Sequence, residues 1–521
     1  MRRVRGQAVV DLVIGSGPAG IATARGLLAR GRSITLVDVG GTLEPARAAA
    51  RDALAAEVPA DWSAASRAGW QAPQFASPPG QVRRYGSDFA MEPADATFAD
   101  PGGLTLRASH AVGGLSNLWG AAVLPYVAQD MAGWPITADD LAPHYAAVTE
   151  FLPVAGGRDR LEALFPTLSM RGRTPLPPGP QAERVLKLWR AALGGQPDPA
   201  LTLGLSRQAV APGCRLCGQC LHGCPWGLIW SAAQELPRLR EDPRFAWSPG
   251  APVRRIEEGP DCVTLIRADG TTETGERVFL AAGVLESARI LLASRPQAHD
   301  SLTLRDSPHG FLPMLDLSLP RKGRPHPDRG PLHTLAKLFL ELDDATLSPH
   351  LIHSQIYSWN EFYAPELIAN YGRRLPGSAP LWRALARRLM VAQVFLHSDH
   401  GPTIDLSLAP DGRLTSTVTA APDLPTRFGA VAGRIAVGMA RAGLKPLTRA
   451  ARLAAPGASF HAGATVPMAR DPGPGQSDLL GRPYGLSRLH LSDASCLPAI
   501  PATTITLPVM ANAHRIASLS P

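Results

Sequence analysis

Apolar residues near the start of the chain change from a continuous run to a helical period and back. Val9–Ile14 is an apolar run typical of a buried strand. After a glycine-rich turn, apolar residues recur between Ile21 and Leu28 at the spacing of one helix face. A second apolar run, Ser33–Val37, ends at Asp38. The pattern predicts a strand–helix–strand unit, and with it an α/β domain containing parallel strands.

The turn inside this unit has the G-x-G-x-x-G spacing, in the order Gly15-Ser16-Gly17-Pro18-Ala19-Gly20. Gly15 permits a tight turn, Gly17 lets the backbone approach a pyrophosphate, and Gly20 lets helix and strand pack closely. The anion would lie on the helix N-terminus, where free N–H groups point outward. Asp38 stands where a carboxylate can accept hydrogen bonds from ribose hydroxyls. The unit predicts a bound dinucleotide, with an ordinary glycine-rich turn as the alternative.

Later segments alternate between strand and helix patterns separated by loops rich in proline and glycine. Asp269-Gly270 is a hairpin signal between the second and third of the strands expected near residue 260. The expected helices are Ile136–Phe151, Glu286–Leu292, Arg427–Ala442 and about Leu507–Ser518, and the expected strands are Val253–Ile256, Val263–Ile266, Arg277–Leu280, Thr334–Leu342, Leu351–Tyr357, Met390–His397 and Thr403–Leu408. The strands after residue 300 indicate an antiparallel sheet with a covering helix, hence a second domain.

Composition narrows the classes of protein. The chain has 521 residues, 45% hydrophobic and 18% charged, which is enough for two substantial cores. Its net charge of +8 comes from scattered arginines, without a basic run interleaved with aromatics, so a nucleic-acid partner is not expected. No secretory signal and no uninterrupted membrane-spanning run is visible. A soluble, cytoplasmic protein is the expectation.

Four of the six cysteines fall in one short run. Cys214, Cys217, Cys220 and Cys224, followed by a proline, have the C-x2-C-x2-C-x3-C-P spacing of bacterial ferredoxins, which hold iron–sulfur clusters through thiolates. The run predicts a cluster with four ligands, or a three-iron cluster held by the first three thiolates. Zinc, a disulfide and plain packing in a tight loop stay as alternatives. Cys262 and Cys496 are weaker candidates for a fourth ligand.

Several segments together resemble the glucose–methanol–choline (GMC) flavoprotein oxidoreductases. The N-terminal unit is similar to that family's FAD site, and Gly113-Gly114-Leu115-Ser116 to its second glycine motif. His461 to Met468 resembles H-x-x-G-T-x-x-M, and Asp493-Ala494-Ser495 with Pro498 resembles D-x-S-x-x-P. The resemblance implies an FAD site that includes Gly15, Gly17, Pro18, Ala19, Gly20, Asp38, Gly113, Gly114, Ser116, Asn117, Val253, Ala282, Asp493 and Thr504.

The resemblance also implies the division of the chain. It gives a Rossmann-like FAD-binding domain from residues 1–150, 203–297 and 455–521. Residues 151–202 and 298–454 form the substrate domain, with a mainly antiparallel sheet covered by helices.

Two departures from the family pattern concern the chemistry. The family's second catalytic position, usually His or Asn, falls on Thr504, which cannot be a strong base, so His461 is the expected base. The segment around Gly113 is closest to the pyranose-oxidase-like branch, but Leu118 replaces that branch's flavin-linking histidine. The FAD is therefore expected to be non-covalent.

The resulting prediction is an FAD-dependent dehydrogenase acting on a CH–OH group of a small molecule, a sugar or polyol by resemblance. His461 would take the hydroxyl proton while a hydride passes to the flavin, with Thr504 bonded to the substrate oxygen. A cluster at the cysteine run would pass electrons singly to an acceptor protein or a quinone. The alternatives are a lyase or decarboxylase reaction on the same fold, and an electron carrier without an alcohol substrate.

A histidine-rich region of the second domain is a weaker candidate for a metal site. His353, His397, Asp399 and His400 lie on or beside expected strands. A metal site would need three of them to converge, and solvation at the strand edges is the favoured interpretation.

Overall fold

The computed structural model of the 521-residue chain describes residues 10–72, 84–193, 198–295, 300–318, 332–360, 363–371 and 377–521. The helices in these ranges are α1 (Pro18–Ala29), α2 (Pro45–Ala56), α3 (Ala64–Gln71), α4 (Ala94–Thr97), α5 (Ala138–Phe151), α6 (Leu161–Leu164), α7 (Pro180–Leu193), α8 (Leu236–Leu239), α9 (Val284–Ser294), α10 (Tyr363–Tyr371), α11 (Ala379–Ala386), α12 (Leu424–Arg441) and α13 (Thr506–Leu519).

The strands are β1 (Val10–Ile14), β2 (Ser33–Asp38), β3 (Phe98–Asp100), β4 (Leu201–Leu205), β5 (Phe245–Pro249), β6 (Val253–Glu258), β7 (Val263–Arg267), β8 (Thr272–Gly275), β9 (Arg277–Leu280), β10 (Leu302–Asp306), β11 (His309–Asp316), β12 (Leu338–Leu342), β13 (Ile352–Tyr357), β14 (Leu389–Phe395), β15 (Thr403–Leu408), β16 (Leu414–Thr419), β17 (Leu444–Pro446), β18 (Arg452–Leu453), β19 (Ala462–Gly463) and β20 (Leu489–Leu491).

A parallel sheet in the order β20-β9-β1-β2-β5 forms the centre of the first core. Val13 stands beside Leu36 of β2 on one side and Phe279 of β9 on the other, all in parallel register. The central strands β1 and β9 are mostly apolar and buried because helices cover the sheet. The last helix, α13, returns to pack against α1 and α5. The carboxyl ends of β1 and β2 therefore meet at one edge, where a ligand is expected to bind.

The second core lies on an antiparallel sheet. Its strands follow the order β17-β11-β14-β13-β12-β4, with β18 beside β11. Apolar residues of α7 and α12 pack on this sheet, among them Trp189 and Ile435. The register aligns His309 of β11 and His353 of β13 with Phe395 of β14. Two further sheets, β19-β10-β15-β16-β3 and β6-β7-β8, contain the remaining described strands.

The predicted α/β architecture is confirmed: a parallel sheet of the Rossmann type stands beside an antiparallel sheet covered by helices. Two strand assignments were wrong. Arg277–Leu280 is not the hairpin partner of β7, since Thr272–Gly275 takes that place and β9 joins the parallel sheet. Thr403–Leu408 lies in the sheet with β10 and β16, apart from β14. The predicted domain boundary at residue 202 falls within β4.

None of the helices in the described ranges is both long enough and apolar enough to cross a membrane.

Candidate active site

The glycine-rich turn after β1 has the geometry of a phosphate cradle. Gly15 has a φ of 97°, and a Cβ there would lie 2.5 Å from the carbonyl oxygen of Ala281. A Cβ at Gly20 would lie 1.8 Å from the carbonyl oxygen of Gly15, so only glycine fits. A Cβ at Gly17, by contrast, would meet no protein atom within 4 Å. Gly17 precedes α1 without a side-chain cap, so the first N–H groups of α1 face this opening.

The carboxylate of Asp38 lies beside the same turn. Its two oxygens accept hydrogen bonds from the backbone N–H groups of Ser16, at 2.7 Å, and Gly40, at 2.8 Å. Burial raises the pKa of this carboxyl, and the hydrogen bonds from Ser16 and Gly40 act in the opposite direction. The structure thus gives Asp38 a role in fixing the turn. A contact to a ribose stays a prediction.

The second glycine segment meets the first. The N–H of Gly113 donates to Ser16 Oγ at 3.0 Å, and a Cβ at Gly114 would lie 3.5 Å from the Cα of Gly17. Gly113 and Gly114 both have positive φ, 85° and 57°. The side chains that follow hold this turn: Ser116 Oγ donates to the carbonyl of Gly113, and Asn117 Nδ2 donates to that of Gly114.

The remaining predicted cofactor residues surround the same sheet edge. Ala282 follows β9, and its Cα would lie 3.0 Å from a Cβ at Gly15. Asp493 is buried, accepts a hydrogen bond from Ser287 Oγ at 2.6 Å, and has a pKa raised by burial. Val253 begins β6 and is also buried.

These residues fit a large polar ligand such as FAD. The Gly17 opening provides room for a pyrophosphate. Among the described residues, the hydroxyls of Thr465, Ser492 and Thr503 are buried without a hydrogen-bond partner. Buried polar groups are rarely left unpaired, so these three hydroxyls are free to bond a polar ligand.

His461 lies on a loop held by a buried carboxyl. Asp306, at the end of β10, accepts hydrogen bonds from Ser459 Oγ at 2.7 Å and from the N–H of Gly457 at 2.8 Å. Ser459 Oγ in turn accepts the N–H of His461 at 3.0 Å. Phe460 between them has a φ of 59°, a left-handed conformation that costs energy for any residue except glycine. The loop is therefore held in a strained form that fixes His461.

The imidazole of His461 stacks on Phe395, with ring centroids 4.9 Å apart and an interplanar angle of 13°. His309 stacks on the same ring at 5.3 Å, so the end of β14 carries an aromatic wall. The antiparallel sheet, through Phe395 of β14, thus supplies the surface on which the imidazole of His461 packs.

Thr504 has a different environment. Its Oγ1 accepts the N–H of Leu124 at 2.7 Å and is buried. The neighbouring Thr503 Oγ1, by contrast, is buried without a partner in the described part of the chain. The sequence analysis did not select Thr503, although the adjacent pair Thr503-Thr504 indicated that either hydroxyl could bond the substrate oxygen.

The four clustered cysteines line one cavity. Cys262 and Cys496, the weaker ligand candidates, do not line it. The other lining residues are Leu176, Val210, Arg215, Trp226, Leu228, Ile229, His333 and Leu335. All six cysteines are free thiols. Burial raises the pKa of Cys214 and Cys224, and that of Cys217 to about 12.

The described thiols do not have the spacing of a closed zinc site. Among the described residues, no three cysteine sulfurs lie within 4.8 Å of one another. A single zinc ion bound tetrahedrally at about 2.3 Å would bring its sulfurs to within about 3.8 Å of each other.

A buried ammonium lies beside this cavity. Lys337 Nζ donates to the carbonyl of His333 at 2.5 Å, and Lys337 is only 2% exposed. Burial lowers its pKa to about 7, while the nearby thiols Cys220 and Cys214 act to raise it. No carboxylate of the described residues forms an ion pair with Lys337. A buried cation without a carboxylate partner is costly, and an anionic group in the cavity would stabilise it.

One short segment connects the cavity with the glycine turns. Leu228 and Ile229 line the cavity. Two residues later, Ser231 Oγ donates to Asn117 Oδ1 at 2.9 Å. Two residues of extended chain span at most about 7 Å, so the backbone that lines the cavity at Ile229 lies close to the second glycine segment.

Comparison with known proteins shows a similarity to one family of oxidoreductases. Residues 426–513 match the family model described as GMC oxidoreductase. This match and the relatives below support an oxidoreductase acting on CH–OH donors. The GMC family implies FAD as the cofactor.

Three similar proteins are named oxidases. The chain is 25% identical to 6'''-hydroxyparomomycin C oxidase of Streptomyces lividus, over 96% of this chain and 89% of that protein. It is 26% identical to paromamine 6'-oxidase of Streptomyces fradiae, over 54% of this chain and 49% of that protein. Its fold is similar to the crystal structure of pyridoxine 4-oxidase from Mesorbium loti, with a TM-score of 0.59, 15% identity and 98% of both chains covered.

Proposed function

We propose that this chain is a GMC-type oxidoreductase that oxidises a CH–OH group of a sugar-like alcohol, with His461 as the base. The placement of His461 carries the proposal: a loop fixed through Ser459 by buried Asp306 presents its imidazole against Phe395. The names of two relatives support the substrate class, since one acts on 6'''-hydroxyparomomycin C and the other on paromamine.

When bound, FAD supplies the two-electron acceptor for the hydrogen of the carbinol carbon. The imidazole of His461 accepts the hydroxyl proton as that hydrogen leaves as a hydride, so the alcohol becomes a carbonyl. Histidine suits this role because its ordinary pKa lies near neutral pH. Thr504 Oγ1 accepts the Leu124 N–H at 2.7 Å and donates its own hydrogen to the Leu124 carbonyl at 3.5 Å, so it would have to turn from that long bond to reach the substrate oxygen. Thr503, with its unpartnered hydroxyl, is the alternative donor.

The base assignment is tested with His461→Gln. We expect turnover to fall about 10²- to 10⁴-fold while the flavin content stays unchanged. His144→Gln, at a half-buried histidine of α5, is the matched control and should retain activity. Unchanged turnover in His461→Gln would show that another group takes the proton. Product analysis also tests the reaction type, since a lyase product would show no net loss of two electrons.

We further propose that Cys214, Cys217, Cys220 and Cys224 bind one 4Fe–4S cluster that carries electrons from the flavin to a protein or quinone. The convergence of the thiols on one cavity supports an anionic multi-iron ligand, and so does buried Lys337, which has no carboxylate partner among the described residues. A three-iron cluster on the first three thiols and a zinc ion are the other outcomes of the test. The relatives are named oxidases, so the electron acceptor needs its own measurement.

The cluster proposal is tested on protein purified without oxygen. We expect about four irons and four sulfides per chain, lost in Cys217→Ser and retained in Cys262→Ser, with FAD bound in both. Zinc without sulfide, or no metal at all, would contradict it. Turnover with a quinone is expected to exceed turnover with O₂, and the Cys217→Ser variant should lose that excess.

A further inference from the structure

Three side chains from two loops of the antiparallel sheet β17-β11-β14-β13-β12-β4 converge on one point. His350 precedes β13, while His397 and Asp399 follow β14. His350 Nε2 lies 3.3 Å from Asp399 Oδ2, and His397 Nδ1 lies 3.4 Å from the same oxygen. The two imidazoles stack with ring centroids 3.6 Å apart and an angle of 11° between their planes. One potential ligand atom of each residue lies within 4.8 Å of the other two.

We propose that His350, His397 and Asp399 form a binding site for a divalent transition-metal ion, with zinc as the best fit. Two imidazole nitrogens and one carboxylate oxygen are a ligand set that zinc accepts, with water in the fourth position. Tetrahedral bonds of about 2.0–2.1 Å place neighbouring ligand atoms about 3.4 Å apart. The two distances to Asp399 Oδ2 already have this value.

The surroundings of His350 support the assignment. Asp130 lies on the other side of the ring, with Oδ1 4.0 Å from His350 Nδ1. Asp130 is 1% exposed, and its Oδ2 has no hydrogen-bond partner in the described part of the protein. Histidines that bind metals commonly donate their second N–H to a carboxylate. A small ring shift would complete a carboxylate–histidine–metal arrangement.

Two existing contacts of the candidate ligands bear on how a metal ion would bind. The N–H of Asp399 donates to His397 Nδ1 at 3.1 Å, so the metal would replace this hydrogen bond. Arg305 lies 3.3 Å from Asp399 Oδ1 and leaves Oδ2 for the metal. Asp399 is about half exposed, with a side-chain exposure of 48%, which gives an ion and its water a path to the site.

The position of the site predicts a structural role. Ser398, between two ligands, exchanges hydrogen bonds with Ile500: its N–H donates to the Ile500 carbonyl, and its Oγ accepts the Ile500 N–H. An ion here would tie the loops at the ends of β13 and β14 to the segment that leads to Thr503. It should raise thermal stability without taking part in the reaction.

The test uses full-length protein, treated with a chelator and then titrated with Zn²⁺ and with Co²⁺ as a spectroscopic probe. It is run in the Cys217→Ser background as well as in the wild type, so that the thiol site is distinguished from this one. We expect one equivalent of metal ion to bind both to the wild type and to Cys217→Ser. The melting temperature should be higher than that of the metal-free protein, and the Co²⁺ spectrum should be that of nitrogen and oxygen ligands.

Two ligand variants and one control decide the outcome. His350→Gln and Asp399→Asn should weaken binding by about tenfold or more, while Asp411→Asn, at an exposed aspartate, should bind as the wild type. Equal affinity in the ligand variants and the wild type, or binding that disappears only in Cys217→Ser, would overturn the proposal.

Discussion

At the scale of single residues, the buried carboxyl of Asp306 is the feature that the sequence could not reveal. It stands more than 150 residues before His461, and only the pairing of β10 with β19 brings the two together. His461 itself could be predicted because it lies in a recognisable motif. Residues that position it from another strand leave no local pattern.

Asp306→Asn should remove one source of pH dependence in stability. Burial raises the pKa of Asp306 from 3.8 to about 7, so the folded state favours the protonated form. Its contribution to stability is fully present below pH 3.8 and is lost as the pH rises through 7. Asparagine stays neutral and can keep both contacts, to Gly457 and Ser459.

We therefore expect the free energy of unfolding of the wild type to fall by a few kcal/mol, relative to Asp306→Asn, between pH 4 and pH 7. Denaturant unfolding at a series of pH values measures this, with the exposed Asp300→Asn as control. Parallel curves for wild type and Asp306→Asn would contradict it.

Lys337→Met should lower the midpoint potential of the proposed cluster. Reduction adds negative charge to the cavity, and the buried ammonium beside Cys214 and Cys220 stabilises that charge. Methionine fills a similar volume without the charge. Redox titration followed by EPR measures the potential, and Lys187→Met, at an exposed lysine of α7, is the control. An unchanged midpoint with a full cluster would show that Lys337 has no electrostatic effect on it.

At the scale of elements, the strand–helix–strand unit could be predicted nearly to the residue, since its period changes twice and glycines mark the turn. β9 was misplaced for a physical reason: its four residues are all buried, so it has no alternation to show which sheet it joins. β15 does alternate, but alternation gives the buried face and not the neighbouring strand.

Gly17→Ala should separate cofactor binding from folding. Its Cβ would meet no protein atom, so the apoprotein should fold with an unchanged melting temperature. The same methyl group would stand in the opening where the pyrophosphate is expected, so FAD affinity should fall. Flavin release measured by fluorescence tests this, with Gly69→Ala in α3, also without neighbours, as control. Wild-type affinity in Gly17→Ala would place the pyrophosphate elsewhere.

At the scale of the whole molecule, the two cores and their sheet types followed from the sequence, but the return of α13 to the N-terminal unit did not. Helix α13 is mostly apolar and is buried nearly all round, a pattern that predicts close packing but does not show which element it packs against. The contact depends on a glycine. Gly26 of α1 leaves room for Ala517 of α13, whose Cβ would be 2.9 Å from a Cβ at position 26.

Two glycines in helices should therefore respond in opposite ways to alanine. Gly26→Ala should destabilise the protein by about 1–3 kcal/mol, because the methyl group forces α1 and α13 apart. Gly429→Ala in α12 meets no atom within 4 Å and should stabilise it by about 0.5–1 kcal/mol. Denaturant midpoints measure both. Stabilisation by Gly26→Ala would mean that the helices can separate at no cost.

The cradle around Gly17 also has a consequence for synthesis. Its walls come from residues near positions 15, 113, 282 and 493, so they meet only after the Asp493 segment has been made. A nascent chain on the ribosome would have β1 and α1 early, yet lack the Asp493 segment until that residue has been added. Cofactor capture is thus expected only after this segment has left the ribosome, and the shorter nascent chain lacks the complete site.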